Sequence, residues 1–147
     1  YNLKGVAESI THPNNVSLLT PEHYEMALYR MQKAGQWERM EPILEFVRKE
    51  TPFSPTEKMQ GFLLMAYLKK GEYDSIISSF ESFKEEREMT KISWNIYLSA
   101  LGKRGEISKL RDAFDNLSSL GFTPDEYSYH ALIEGYMISR QYKQALE

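Results

Sequence analysis

The sequence predicts an all-α fold, an α-solenoid of helix-turn-helix repeats, on three observations. A turn pattern recurs as Lys33-Ala34-Gly35, Lys69-Lys70-Gly71 and Lys103-Arg104-Gly105, with Ser139-Arg140-Gln141 as a degenerate fourth copy. The steps between equivalent positions are 36, 34 and 35 residues. At that period each unit buries its apolar face only against its neighbours. Within the units the apolar spacing is helical, as in Leu110, Ala113, Phe114 and Leu117.

Residues 1–20 do not align with the repeat, and His12-Pro13-Asn14-Asn15 has loop composition. The segment reads as an irregular N-terminal stretch or as the end of a preceding repeat. The first repeat, 21–56, carries helices over about 22–34 and 37–49, with Thr20-Pro21-Glu22 as the start signal and Gly35 as a left-handed stop. Pro42 falls inside its second helix and should kink it or delay its start. The second repeat, 57–90, opens on Ser54-Pro55-Thr56-Glu57, with helices over 57–70 and 73–86 around Gly71. The third, 91–125, opens on Thr90, with helices over 91–104 and 107–119, Gly105 between them and Gly121 after the second. The fourth, 126–147, opens on Thr123-Pro124-Asp125-Glu126, with a helix over 126–139 and a second expected from 142 onward.

Composition narrows the function classes. A chain that is 41% hydrophobic and 13% aromatic can build a core, and no stretch approaches a membrane span. Cysteine is absent, and His12, His23 and His130 share no ligand spacing, so neither a disulfide nor a metal site is expected. No phosphate-cradling glycine loop and no zinc-deaminase box appears. The expectation is therefore no catalysis, no cofactor and no small-molecule substrate. A chain that opens at Tyr1 without Met and stops within its fourth repeat reads as a piece of a longer protein.

The third repeat carries the most information. It runs Lys91-Ile92-Ser93-Trp94-Asn95, then Leu98, Lys103-Arg104-Gly105, Leu110, Phe114, Leu117, Gly121 and Pro124-Asp125. This resembles the pentatricopeptide repeat (PPR) family, whose units carry an aromatic-Asn pair, a Lys-x-Gly turn, spaced apolar residues, Gly and Pro-Asp. The fourth repeat matches through Tyr129-His130-Ala131-Leu132-Ile133, so the resemblance covers about residues 21–147. The first two repeats match in period, turn and apolar positions but lack the terminal Gly and Pro-Asp. A tetratricopeptide repeat would want Trp and Leu-Gly early in the first helix. Here that position holds Tyr24, Gln60, Trp94 and Tyr129, and the Lys-x-Gly turn recurs, which favours PPR.

The resemblance implies a right-handed superhelix whose first helices line a concave groove for single-stranded RNA, about one base per repeat. Base-reading residues in this family are the one after the first-helix aromatic and the last of the repeat. By resemblance these are Asn95 with Asp125, a pair that favours uridine, and His130 with a partner beyond the chain. The earlier repeats depart, offering Glu25 with Thr56 and Gly61 with Thr90. Lys33, Lys69 and Lys103 occupy the position that faces the RNA backbone in the family. Without the resemblance, Asn95 reads as a solvated helix residue and Asp125 as an N-cap. The lysines then read as cations on helix C-terminal dipoles, worth about 0.3–1 kcal/mol each.

A net charge of −3 at first argues against nucleic acid. Its distribution points the other way. The first helices hold eight basic and five acidic residues, whereas the second helices with their flanking turns hold eight basic and fourteen acidic. A basic inner row with an acidic outer row suits a groove that tracks a backbone. The resemblance further implies a mitochondrial location, with plastid as the other organellar address. Its implied partners are single-stranded RNA and other proteins of a ribonucleoprotein assembly, in RNA stability, processing or translation. The alternative is an α-solenoid protein–protein scaffold subunit of a mitochondrial ribosome or polymerase assembly.

Overall fold

The computed structural model describes the backbone of residues 2–146 and the side chains of residues 2–140, and every regular element among them is helical. Eight α-helices follow in order: α1 Leu3–Ile10, α2 Pro21–Ala34, α3 Trp37–Glu50, α4 Glu57–Lys70, α5 Tyr73–Glu86, α6 Lys91–Lys103, α7 Ile107–Ser119 and α8 Glu126–Leu146. A 3-10 helix, Pro13–Leu18, joins α1 to α2. The chain forms two units, Tyr1–Lys70 and Gly71–Glu147. The fold is the all-α solenoid of paired helices that the period predicts.

Local signals set most boundaries. Thr90 accepts the Ser93 N–H at 3.2 Å, and Asp125 accepts the N–H groups of Tyr127 at 3.0 Å and Ser128 at 3.1 Å. These bonds satisfy donors that a helix start leaves open. At the other end, Gly105 adopts φ +66°, where an L side chain would be strained, and the Glu106 N–H returns to the Leu101 carbonyl at 3.0 Å.

Three expectations need correction. Of the two readings of residues 1–20, the irregular stretch is corrected, since the segment holds a helix, as the end of a preceding repeat would. Asn2 caps α1 by accepting the Gly5 N–H at 2.9 Å, and α1 packs on α2 and α3. Leu3, Val6, Ala7 and Ile10 carry the helical apolar period across these eight residues. Pro42 does not delay α3, which begins at Trp37, where the indole packs on Tyr67 with centroids 5.6 Å apart. The fourth turn is absent: α8 runs unbroken past Ser139, so no separate helix starts at 142. Arg140 stands where the other repeats have glycine, and without a residue that enters the left-handed region cheaply the helix continues. The side chains of 141–146 lie outside the described residues.

In unit 1 the leading helices α2 and α4 lie side by side, with α3 packed against both. Tyr24, Leu28 and Met31 of α2 and Met40 and Val47 of α3 are fully buried, and Tyr24 meets Phe53 edge-on at 5.8 Å. In unit 2 the leading helices are α6 and α8. There α5 packs on α6, and α7 packs on both α6 and α8. Phe80 of α5 stacks on Tyr97 at 4.2 Å and meets Trp94 edge-on at 4.8 Å. Such aromatic pairs contribute about 0.5–1.5 kcal/mol beyond the area they bury.

The α6–α8 packing is the most extensive in unit 2, and two glycines lie in it. A Cβ at Gly102 would lie 2.6 Å from the Ala131 carbonyl oxygen, and one at Gly135 would collide with Leu110. The opposite face of α8 is open. Leu28, Leu64 and Leu98 are 0% exposed at one repeat position, while their equivalent Ile133 is 59% exposed. Tyr136 and Met137 are exposed beside it.

Replacing Gly102 by Ala should cost about 1–3 kcal/mol through overpacking against backbone. The measurement is the urea midpoint of the Gly102→Ala variant, expected to fall; an unchanged midpoint would show that α6 and α8 have room to spare.

Candidate nucleic-acid interface

Asn95 lies in the second turn of α6, and Asp125 caps the adjacent start of α8. Because α6 and α8 meet so closely, the two side chains touch across 30 residues of sequence. The Asn95 amide nitrogen lies 3.4 and 3.3 Å from the two Asp125 carboxylate oxygens. A carboxylate only accepts, so the NH2 end of the amide must face it. Two residues that the sequence pattern does not single out complete the group. Ser128, fully buried, donates its hydroxyl proton to Asn95 Oδ1 at 2.9 Å and lies 3.2 Å from Asp125 Oδ1. Lys91 places Nζ 3.3 Å from Asp125 Oδ2.

The Ser128 backbone N–H, then the Lys91 ammonium and the Ser128 hydroxyl, hold the Asp125 carboxyl below the usual aspartate range. Asp125 therefore remains ionised well into acid. What the cluster leaves on Asn95 is one N–H and one carbonyl lone pair, side by side on a half-exposed amide edge.

The other positions differ. In unit 1 the Thr56 hydroxyl donates to Glu25 Oε2 at 2.7 Å, which presents an anionic acceptor and no donor. Gly61 has no side chain to offer. His130 projects into solvent, with Nε2 3.7 Å from Glu134 Oε2.

Each of the three lysines already has a protein contact. Lys33 stands over the Tyr29 ring at 5.4 Å. Lys69 donates to the Lys33 carbonyl at 2.6 Å, closing the end of α2. Lys103 pairs with Glu134 Oε1 at 2.6 Å, and that carboxylate raises the ammonium above the ordinary lysine range. A phosphate at Lys103 or Lys69 would have to replace these bonds. Glu134 is a residue that the charge count included but could not place.

Among the described residues no three His, Asp or Glu side chains are grouped to hold a metal ion, and no helix is long and apolar enough to cross a membrane.

The chain is similar to three pentatricopeptide repeat-containing proteins of Arabidopsis thaliana. One is 27% identical over 99 residues, covering 67% of this chain and 16% of its own length. A second, named as chloroplastic, is 26% identical over 74 residues, covering 50% of this chain and 8% of its own. A third is 35% identical over 63 residues, covering 43% and 8%. These similarities support a PPR-like family for the chain. No family model matches it. It spans no more than 16% of the relatives' lengths, so it corresponds to a small part of each.

The Asp125 shift makes a prediction about pH. A folded-state value below the unfolded one gives stability that is present above the unfolded value, near 3.8, and lost as pH falls through the folded value. Carbon-13 NMR of the Asp125 carboxyl should show a midpoint below that of an unfolded aspartate. A midpoint at or above it would mean that the Ser128 and Lys91 contacts are not formed in solution.

Proposed function

We propose that this PPR-like chain is a segment of an organellar protein that binds single-stranded RNA along its leading helices and performs no catalysis. One observation carries the proposal. Asn95 has a neutral amide oriented by a carboxylate, with one donor and one acceptor left for a base edge. Uridine is the base that the PPR resemblance assigns to an Asn95–Asp125 pair. Ile92, one turn before Asn95, and Tyr127, beside Ser128, are both strongly exposed. They supply apolar surface on which a base face can rest. Lys33, Lys69 and Lys103 are the backbone contacts, with phosphate replacing Glu134 at Lys103 and the Lys33 carbonyl at Lys69. His130 offers a second base contact. The organellar roles that follow are RNA stability, processing or translation.

A second reading, a protein–protein scaffold in a ribosome or polymerase assembly, has its own support. The exposed stripe Tyr129, Ile133, Tyr136 and Met137 on α8 is the kind of face that another helix covers, and Glu134 neutralises Lys103 without any RNA.

Asn95→Ala should abolish preference at one base of a short single strand, a loss of about 1–3 kcal/mol of discrimination. Binding-constant measurements with RNAs varied at one position check it, and an equal loss for every sequence would exclude base reading there. Lys69→Glu with Lys103→Glu should weaken binding to all sequences and flatten the salt dependence by roughly 0.7 for each phosphate no longer neutralised. Helicity should be unchanged. No binding by the native chain at low salt would favour the scaffold reading.

A further inference from the structure

We infer that Ser128 is a specificity-determining positioning residue: its buried hydroxyl locks the Asn95 amide in one orientation and so lets the site tell uracil from cytosine. The inference rests on the base-reading proposal above and adds a residue that neither the repeat pattern nor the Asn95–Asp125 pair includes.

The geometry supports this in three steps. An amide is nearly symmetric in shape, so without anchors it can turn by 180° and exchange its donor for its acceptor. Uracil and cytosine differ by that exchange, since uracil shows N3–H beside O4, whereas cytosine shows N3 beside an amino group. A freely turning amide therefore suits both bases, and a fixed one suits only one.

Second, the short bond in the cluster is the one from Ser128. Its Oγ lies 2.9 Å from Asn95 Oδ1, while the carboxylate contacts on the other end of the amide are 3.3 and 3.4 Å. The hydroxyl is itself fixed, because Oγ also accepts the Asp125 N–H at 3.2 Å and the Ser128 N–H is held by Asp125 Oδ1 at 3.1 Å. A serine with 0% exposure has no water to turn to. Reversing the amide would set Oδ1 against an ionised carboxylate and make the Ser128 hydroxyl an acceptor from the NH2, its own proton turning to Asp125 Oδ1 3.2 Å away.

Third, the other repeats lack the combination. Met59 holds the equivalent position in α4, where the neighbouring reader is the carboxylate Glu25. Ser93 holds it in α6 and bonds to its own cap, Thr90, at 3.2 Å. Among the described residues, only the pairing of α6 with α8 brings a buried hydroxyl to a reading amide.

The test uses the full chain and single-stranded RNA octamers identical except for U or C at one position, scanned along the strand. Native protein should favour one of the two by about tenfold at a single position. Ser128→Ala should bring that ratio to within about twofold of unity, chiefly by raising affinity for the disfavoured RNA, and Ser128→Thr should restore it. A purely structural cap would instead lower affinity for both RNAs together. Native-level discrimination by Ser128→Ala would overturn the inference and leave base reading by Asn95 intact. Absence of any U/C preference in the native chain would overturn the base reading, and the inference with it. A readout without RNA separates the two: nitrogen-15 relaxation of the Asn95 side-chain amide should show a rigid group in the native chain and a mobile one in Ser128→Ala. Equal rigidity in both would remove the lock whatever the RNA binding shows.

Discussion

Two helices approach as closely as the groups between them permit, and at the centre of unit 2 glycine leaves almost nothing between them. Gly102 brings the α6 backbone onto the Ala131 carbonyl, and Gly135 makes room for Leu110. Everything polar at the candidate site follows from that approach. Asn95 alone is an ordinary half-exposed helix residue. With the start of α8 pressed against it, the same residue gains a carboxylate at one end of its amide and a buried hydroxyl at the other. The N-cap chemistry of α8 thereby serves twice, since Asp125 and Ser128 close the helix start and hold a side chain of the neighbouring helix.

Much of the fold could be read from the sequence because its determinants are local. The bounds of α4, α5 and α7 coincide with those expected, and the glycines at 35, 71, 105 and 121 all take positive φ. Failures occurred where the local signal was short or missing. The segment before Thr20 held an eight-residue helix, and Arg140 lacked the conformational freedom to end α8. The site was half legible. The resemblance paired Asn95 with Asp125, and the two side chains do touch. Ser128 and Lys91 were invisible, because a serine three residues after an N-cap aspartate reads as a cap in any helix. Its bond to Asn95 depends on the packing of α6 and α8. Gly102 and Gly135 carried no warning either, since nothing in the pattern says which face a helical glycine presents.

Electrostatics shows the same division between what is local and what is tertiary. Counting charges along the chain gives basic leading helices, but an ammonium contributes to a phosphate site only after its present partner is displaced. Glu134 holds Lys103 at 2.6 Å, and Lys69 serves the end of α2. The backbone contribution of these lysines is therefore a difference between two partners, smaller than a count of cations suggests. An exposed pair of this kind is worth little in water, so displacement is inexpensive. In the base contact proposed above, the Asn95 amide needs no such exchange, because Asp125 and Ser128 are bonded to it without occupying its remaining donor and acceptor.

Photocrosslinking tests most directly where nucleic acid lies on this chain. Single-stranded RNA carrying 4-thiouridine would be bound to the native protein and irradiated, and the adducted peptides identified by mass spectrometry. Adducts should fall on the first two turns of α6 and α8, at Lys91–Asn95 and Tyr127–His130. Adducts confined to α5 and α7, or a chain left unmodified under low salt, would contradict the assignment of the leading helices as the RNA-binding face.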